Sequence, residues 1–161
     1  MSVGESVTPR TRRLGVALAA VMGAVVGVGT LWAAPAAAEA QAQLDAGIAA
    51  VRAASSCPAL AHDPLAQRVA ELSNRSTEDY LNHTAEHVPV ADPLFVLHDL
   101  GSDAQRAVQL QGQGHSVADA LKGALLQGNS TIPDCSYTRF GSSVIEHAAS
   151  GHTLVVAVLV G

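Results

Sequence analysis

Seven consecutive apolar residues near the C-terminus, Leu154 to Val160, constrain the fold of this chain more than any other feature. The run is rich in β-branched valine. It has no polar residue on either face of the strand that it would form, which is typical of a strand covered on both faces. A second β-branched run, Phe140 to His147, precedes it across a short turn, and together they predict a hairpin. Because both faces of this hairpin need cover, the sequence favours a sheet in the middle layer of a sandwich.

A helix with clear boundaries is predicted after Asp63. This residue is a favourable N-cap, Pro64 suits the first helical position, and Pro89 prevents continuation beyond the preceding loop. The apolar positions at helical spacing predict which side chains of this helix are buried. They are Leu65, Val69, Leu72, Ser76, Tyr80 and His83.

Three further helices are expected. One begins at Ser116, with Asp119 three residues on as a short capping box, and Gly128 closes it. Its predicted apolar face consists of Val117, Leu121, Ala124 and Leu125. The other two are predicted over 42–54 and 92–100 from their apolar spacing and from the breakers that follow them.

One more strand is predicted over 107–111, where apolar and polar residues alternate. Val108 and Leu110 are expected on its core face, and Gly112 and Gly114 are expected to end it. The order of helices, strand, helix and hairpin predicts an α+β fold. We expect an α-β-α sandwich with a small, mainly antiparallel sheet.

The N-terminus has the pattern of a targeting segment. Three arginines precede an uncharged run from Leu14 to Ala38, and Ala36 and Ala38 form an A-x-A site with cleavage expected before Glu39 or, as second choice, after Ala40. Residues 1–38 are therefore predicted to be a signal peptide for Sec or twin-arginine export, and residues 39–161 a single domain. The alternative is an uncleaved membrane anchor, since the run is long enough to span a bilayer.

Charge narrows the range of partners. Residues 39–161 hold six Lys and Arg against thirteen Asp and Glu, a net charge of −7. This acidic balance argues against nucleic acid and against charge-driven docking on anionic lipid. Four aromatic residues remain after the targeting segment, too few for a stacking platform.

The two cysteines, Cys57 and Cys135, both lie in the predicted exported part. In an oxidising compartment such a pair is predicted to form one disulfide. The alternative of a catalytic thiol is not supported by the surroundings, since neither cysteine sits in a pattern that stabilises a thiolate.

The segment from Arg52 to Leu65, with Cys57, Leu60 and Asp63 at its junctions, resembles an early phrase of the CAP (SCP-like) superfamily of secreted domains. His83-Thr84 is similar to the phrase that ends the family's helix, and Phe140-Gly141 through Val160 is similar to its C-terminal strands. The resemblance covers roughly residues 44–161 and extends in particular to short exported CAP-like proteins of mycobacteria. It implies the α-β-α fold, a secreted or envelope-associated location, and a cleft.

The same resemblance implies that the cleft is degenerate. The family's cleft usually holds two His and two acidic residues, sometimes with a bound divalent metal, and of these only the first His maps cleanly, onto His83. The family's Gly-Glu-Asn phrase falls near Gln111-Gly112-Gln113, where amides replace the carboxylate. A later Trp and His fall near 122–130, which has neither.

Residues 83–87 spell H-x-x-E-H, a zinc-peptidase pattern. On a continuous helix His83 and His87 would share one face and could ligate zinc, with Glu86 as general base. The alternative is structural: His83 is a partly buried, hydrogen-bonded histidine and His87 is solvated. Two other histidines, His147 and His152, flank the hairpin turn and are expected to face each other.

These observations favour an exported, CAP-like binding or cell-envelope module, with no confident catalytic residue beyond the candidate His83. A cell-envelope component or a small apolar ligand is the expected partner, with membrane association only if the targeting segment is uncleaved. No cofactor is expected. The alternative is a metal-dependent hydrolase that uses His83, Glu86 and His87.

Overall fold

The fold was obtained as a computed structural model that describes Met1 and residues 36–161. Residues 36–161 belong to one compact unit. The predicted targeting segment therefore lies almost entirely outside the described residues. Among the helices of the described part, none is long and apolar enough to cross a bilayer.

Within residues 36–161 the structure confirms the predicted α+β architecture, with four helices packed on a four-stranded sheet. The elements in chain order are α1 (Ala36–Ala53), β1 (Ala61–His62), α2 (Pro64–Leu81), α3 (Pro93–Asp99), β2 (Ala107–Gly114), α4 (Val117–Gln127), β3 (Arg139–His147) and β4 (His152–Val160). The strand order in the sheet is β1-β3-β4-β2. β2 and β3 each pair antiparallel with β4, and the short β1 pairs parallel with β3.

β4 divides the core into two halves, as its unbroken apolar sequence predicts. Val155, Ala157 and Leu159 pack with α1 and α4, while Val156, Val158 and Val160 pack with α2 and α3. Every residue from Thr153 to Val160 is buried. Burial of apolar surface stabilises a fold by about 25 cal/mol per Å², and this strand buries such surface on both of its faces.

β2 is longer than predicted because its two glycines continue the strand. Gly112 and Gly114 face α4, and a Cβ atom at Gly112 would lie 2.7 Å from the backbone nitrogen of Ala124. Close approach of helix and strand, and not a turn, is what requires glycine here. The strand thus runs to Gly114 and places Gln109, Gln111 and Gln113 on the opposite face, toward α2.

The buried face of α2 also differs from the predicted stripe. Asp63 caps the helix as expected, accepting from the backbone N–H groups of Leu65 and Ala66. Val69 of that stripe is buried, whereas Tyr80 is 54% exposed and His83 lies beyond the helix. The other buried residues of the helix are small or polar, namely Ala66, Ala70, Ser73 and Asn74. Small side chains allow the helix to lie close to the sheet, and this contact outweighs the burial of leucine and tyrosine.

α1 begins at Ala36, six residues before the predicted start. Ala40, Leu44, Ile48 and Arg52 follow each other at intervals of four and form its buried face. The predicted cleavage point before Glu39 falls inside the first turn of this helix. Alanine has the highest helix propensity, which accounts for the extension.

Arg52 is a buried cation at the end of α1, with only 2% of its surface exposed. Its guanidinium donates to four backbone carbonyl groups at 2.7–2.8 Å, and these belong to two loops far apart in sequence. The acceptors are Pro58, Ile132, Asp134 and Tyr137. The planar, forked guanidinium suits this arrangement, since it presents five N–H groups in fixed directions.

The same two loops are joined covalently by the disulfide between Cys57 and Cys135, which confirms the predicted pairing. The bond links residues 78 positions apart, with their Cα atoms 5.1 Å from each other. In the chain-entropy model, closing a loop of this length stabilises the folded state by about 4 kcal/mol.

Removing the guanidinium is expected to be costly. Arg52→Met should lower the free energy of unfolding by at least about 3 kcal/mol, because it leaves buried carbonyl groups without donors. Arg68→Met is the matched control, since the side chain of Arg68 is 59% exposed and forms an ion pair with Glu71 on the same helix. Chemical denaturation of both variants measures the difference, and a loss below about 1 kcal/mol for Arg52→Met would show that these bonds are unimportant.

Breaking the disulfide is expected to reduce thermal stability. Cys57→Ser should lower the melting temperature by roughly 10 °C or more, and the double variant with Cys135→Ser should match it, because either change removes the whole bond. Calorimetry of the wild type with and without reductant provides the check. An unchanged melting temperature under reducing conditions would contradict the prediction.

Candidate functional site

A cavity of about 360 Å³ opens on the α2 face of the sheet, beside β2 and β4. We call it the amide cleft, because carboxamide side chains line its rim and wall. Asn74 and Thr77 come from α2, Gln111 and Gln113 from β2, and an apolar floor from residues 154–156 of β4. Gly112 and Gly123 complete the lining. This volume is within the range of small-molecule sites.

Asn74 is the most constrained residue of the amide cleft, with 1% of its surface exposed. Its Nδ2 group donates to the backbone carbonyls of Ser143, at 3.2 Å, and Leu154, at 3.1 Å, and to the Ser143 hydroxyl. These carbonyl groups can only accept, so the orientation of the carboxamide is determined. Its Oδ1 atom has no partner in the described structure, an arrangement that costs about 1–3 kcal/mol unless a donor approaches.

The neighbouring polar residues are held by α2 and the following loop. Ser73 donates to Gln109 Oε1 at 2.6 Å, and Gln109 Nε2 donates to the carbonyl of Val90 at 3.3 Å. Gln109 is therefore occupied by protein contacts. Gln111 and Gln113, the next residues on the same face, are exposed.

His83, Glu86 and His87 do not share a helix. α2 ends at Leu81, His83 has a left-handed backbone with φ of 57°, and all three residues are exposed. The continuous helix on which the H-x-x-E-H prediction depends is therefore absent. Within residues 36–161 no group of three or more His, Cys, Asp or Glu side chains is placed to hold a metal ion. The zinc site therefore stays a prediction, and residues 83–87 do not have the helical geometry that such a site requires.

The buried histidine at this end of the molecule is His147, with 4% exposure, and not His83. His147 Nε2 lies 2.9 Å from Asn82 Oδ1, and Nδ1 lies 2.6 Å from the Ser150 hydroxyl. Because Asn82 Oδ1 can only accept, Nε2 donates, and in the neutral ring Nδ1 then accepts from the Ser150 hydroxyl. The ring thus ties the end of α2 to the hairpin turn.

His147 and His152 are cross-strand partners, as expected from the hairpin. The ring of His152 nevertheless stacks on His115, with centroids 3.9 Å apart and 28° between the planes. Sequence spacing could not reveal this contact, because His115 lies at the junction of β2 and α4.

A second polar cluster, missed by the sequence analysis, lies between α1 and β3. The buried Ser142 donates to Asp45 Oδ1 at 2.5 Å, and its backbone N–H donates to Gln67 Oε1 at 3.1 Å. Partial burial raises the pKa of Asp45 above its ordinary value, and the hydrogen bond from Ser142 and the nearby His62 offset this only in part.

A smaller, more enclosed cavity of about 200 Å³ lies next to Arg52 and the disulfide. Its walls are mainly apolar and come from α1 and the loop that follows, with Phe140 at one side. It is separate from the amide cleft, with which it shares no lining residue.

Comparison with known proteins identifies the fold. No protein-family model and no curated protein sequence matches the chain. An outer surface protein from Borrelia burgdorferi is similar in structure, with a TM-score of 0.60 at 12% identity over 76% of this chain and 92% of that one. A cysteine-rich secretory protein from Staphylococcus aureus has a TM-score of 0.59 at 11% identity, over 80% of this chain and 40% of that one.

An extracellular protein with an SCP domain from Bacillus anthracis has a TM-score of 0.51 at 20% identity, over 77% of this chain and 41% of that one. The chain has a CAP-like fold. It spans about two fifths of the staphylococcal and Bacillus proteins and nearly all of the Borrelia protein. At these identities the similarity establishes the fold alone, and the finer resemblance to mycobacterial proteins stays a prediction.

The amide cleft is lined by the segment near which the sequence resemblance placed the family's Gly-Glu-Asn phrase. Gln111, Gly112 and Gln113 occupy the wall where the resemblance implied a carboxylate. His83, the family-like histidine, is not among the residues that line this cavity. The degenerate cleft that the resemblance implies stays a prediction.

Asp45 makes stability depend on pH. With a raised pKa in the folded state, Asp45 favours folding when protonated, and this contribution is lost as the pH rises through the folded-state pKa. Asp45→Asn preserves an acceptor for Ser142 without the charge, so it should raise the melting temperature at pH 7. The gain should disappear near pH 3. Asp103→Asn, at an exposed position, is the control; an equal gain for both variants would contradict the assignment.

Proposed function

We propose that this protein is an exported, non-catalytic binding module that is secreted or associated with the cell envelope. The N-terminal pattern of arginines and an apolar run supports export. A disulfide supports an oxidising compartment. The structurally similar proteins from Borrelia, Staphylococcus and Bacillus are described as outer-surface, secretory and extracellular proteins.

The observation that carries the proposal is the neutral lining of the amide cleft. Its polar groups are the carboxamides of Asn74, Gln111 and Gln113 and the hydroxyl of Thr77. None of these titrates near neutral pH, whereas general acid and base catalysis needs a group that does. Carboxamides donate and accept hydrogen bonds without charge, which suits recognition. The net charge of −7 over residues 39–161 is unfavourable for nucleic-acid partners.

A small apolar ligand is the second class of partner that we propose. The enclosed cavity beside Arg52 would receive it, since its walls are mainly aliphatic and aromatic. At about 200 Å³ it is smaller than typical drug-sized sites of about 300–1,000 Å³. Short alkyl or single-ring molecules fit this size, and whole lipids do not.

The alternative function, a metal-dependent hydrolase, requires His83 and His87 to converge on one ion. Both residues lie in the exposed segment after α2, so this segment would have to rearrange to bring them together. Glu86 would also need to approach the same ion as general base. No observation on residues 83–87 favours this arrangement over the exposed loop.

The proposed function predicts retention by envelope material. The full chain, incubated with washed envelope fragments from the cells that produce it, should sediment with them in a saturable way. His83→Ala should sediment as the wild type does. After dialysis against a zinc solution, neither protein should contain stoichiometric zinc.

Two results would overturn this view. Absence of saturable sedimentation would contradict the proposal that the protein is a binding module. Stoichiometric zinc that is lost in His83→Ala, together with hydrolysis of a peptide or ester substrate, would favour the metal-dependent enzyme. Leu126→Ala is a suitable control for nonspecific adsorption, since Leu126 is 60% exposed and lies on α4, away from residues 83–87.

A further inference from the structure

We propose that the amide cleft binds the secondary amide group of a neutral ligand, with Asn74 Oδ1 accepting the ligand's N–H. This inference deepens the proposed function and rests on it, since it names the chemistry recognised by the binding module. Its starting observation is independent of the fold comparisons, because it concerns a single buried acceptor without a partner.

Asn74 is suited to select a donor. Its Nδ2 group already donates to the carbonyls of Ser143 and Leu154, so rotation of the carboxamide would oppose oxygen to oxygen. The Oδ1 atom is consequently a permanent acceptor at a buried position. A ligand that only accepts hydrogen bonds, such as a carboxylate, would meet repulsion here.

Gln111 and Gln113 supply the complementary donors. They lie two positions apart on β2, on the face toward α2, and both side chains are exposed at the cleft. Residues i and i+2 of a strand project from the same face. Their Nε2 groups can turn toward the carbonyl oxygen of a ligand while Asn74 Oδ1 accepts its N–H. The cleft therefore combines an acceptor and donors, as an amide does.

The remaining lining restricts the ligand further. Leu154 and Val156, which lie on the α2 face of β4, form an apolar floor suited to a methyl or methylene group next to the amide. Gly112 and Gly123 leave room along one wall. The lining contains neither an ionisable side chain nor an aromatic ring, so charge pairing and ring stacking do not contribute.

Secondary amides have two main sources in an extracellular setting. One is the peptide backbone and the other is the acetamido group of an N-acetylated sugar. Both present an N–H, a carbonyl and an adjacent carbon, so the cleft recognises the chemistry that they share. The probes below separate the two sources.

The test is a titration of the ¹⁵N-labelled full chain followed by NMR. The amide probes are N-acetylalanine N′-methylamide and N-acetylglucosamine; glucose and acetate are the controls without an amide. Both amide probes, or one of them, should shift the side-chain amide signals of Asn74, Gln111 and Gln113 in a saturable way. For a probe of about ten non-hydrogen atoms we expect a Kd of about 1 mM. The tighter probe identifies the source.

Matched leucine variants test the assignment. Gln111→Leu and Gln113→Leu should each weaken the amide probes about tenfold, the loss expected for one hydrogen bond of roughly average strength. Gln105→Leu makes the same chemical change at an exposed position that precedes β2 and does not line the cleft, and this variant should bind as the wild type does. Because all three glutamines are exposed, melting temperatures should stay unchanged.

The proposal fails if neither amide produces a saturable shift, in which case water alone occupies the cleft. It also fails if glucose or acetate binds equally well, or if the Gln111 and Gln113 variants retain full affinity. Envelope sedimentation that persists in a variant unable to bind amides would leave the binding module in place and remove only this site. Amide binding without envelope sedimentation would support this site and contradict the proposed retention by the envelope.

Discussion

The requirement to cover both faces of β4 organises the rest of the molecule. A strand with apolar side chains on both faces is unfavourable in contact with solvent. α1 and α4 therefore pack on one face of β4, and α2 and α3 pack on the other. The neighbouring strands can carry polar side chains where these are hydrogen-bonded or exposed. β2 illustrates this, with Val108 and Leu110 on one face and glutamines on the other. The amide cleft exists because this edge strand carries polar side chains toward α2.

Features that depend on local chemistry could be predicted from the sequence. The N-cap at Asp63, the apolar β4 and the pairing of Cys57 with Cys135 each follow from a few residues and a known local preference. The α+β class follows from the order of such elements. β1 could not be predicted, because two residues carry no periodic pattern and its pairing with β3 depends on tertiary packing.

The site was less predictable, and the reason is physical. Leucine and tyrosine suggested one buried face of α2, but close packing against the sheet favours alanine, serine and asparagine. Asn74 looks like an ordinary surface residue in the sequence, and its buried, half-satisfied carboxamide depends on the carbonyls of β3 and β4. His83 attracted attention because of a motif, whereas His147, without any motif, is the histidine that the fold buries.

Arg52 has a consequence for how the protein matures. Its guanidinium holds the carbonyls of Pro58 and Asp134, the residues next to the two cysteines, and so aligns both thiols without any covalent bond. A chain that folds before oxidation therefore presents its thiols to each other at high effective concentration. Intramolecular closure then competes well against cross-linking between two copies. In such a chain, a buried charge at the end of one helix would favour the bond within one molecule over a covalent dimer.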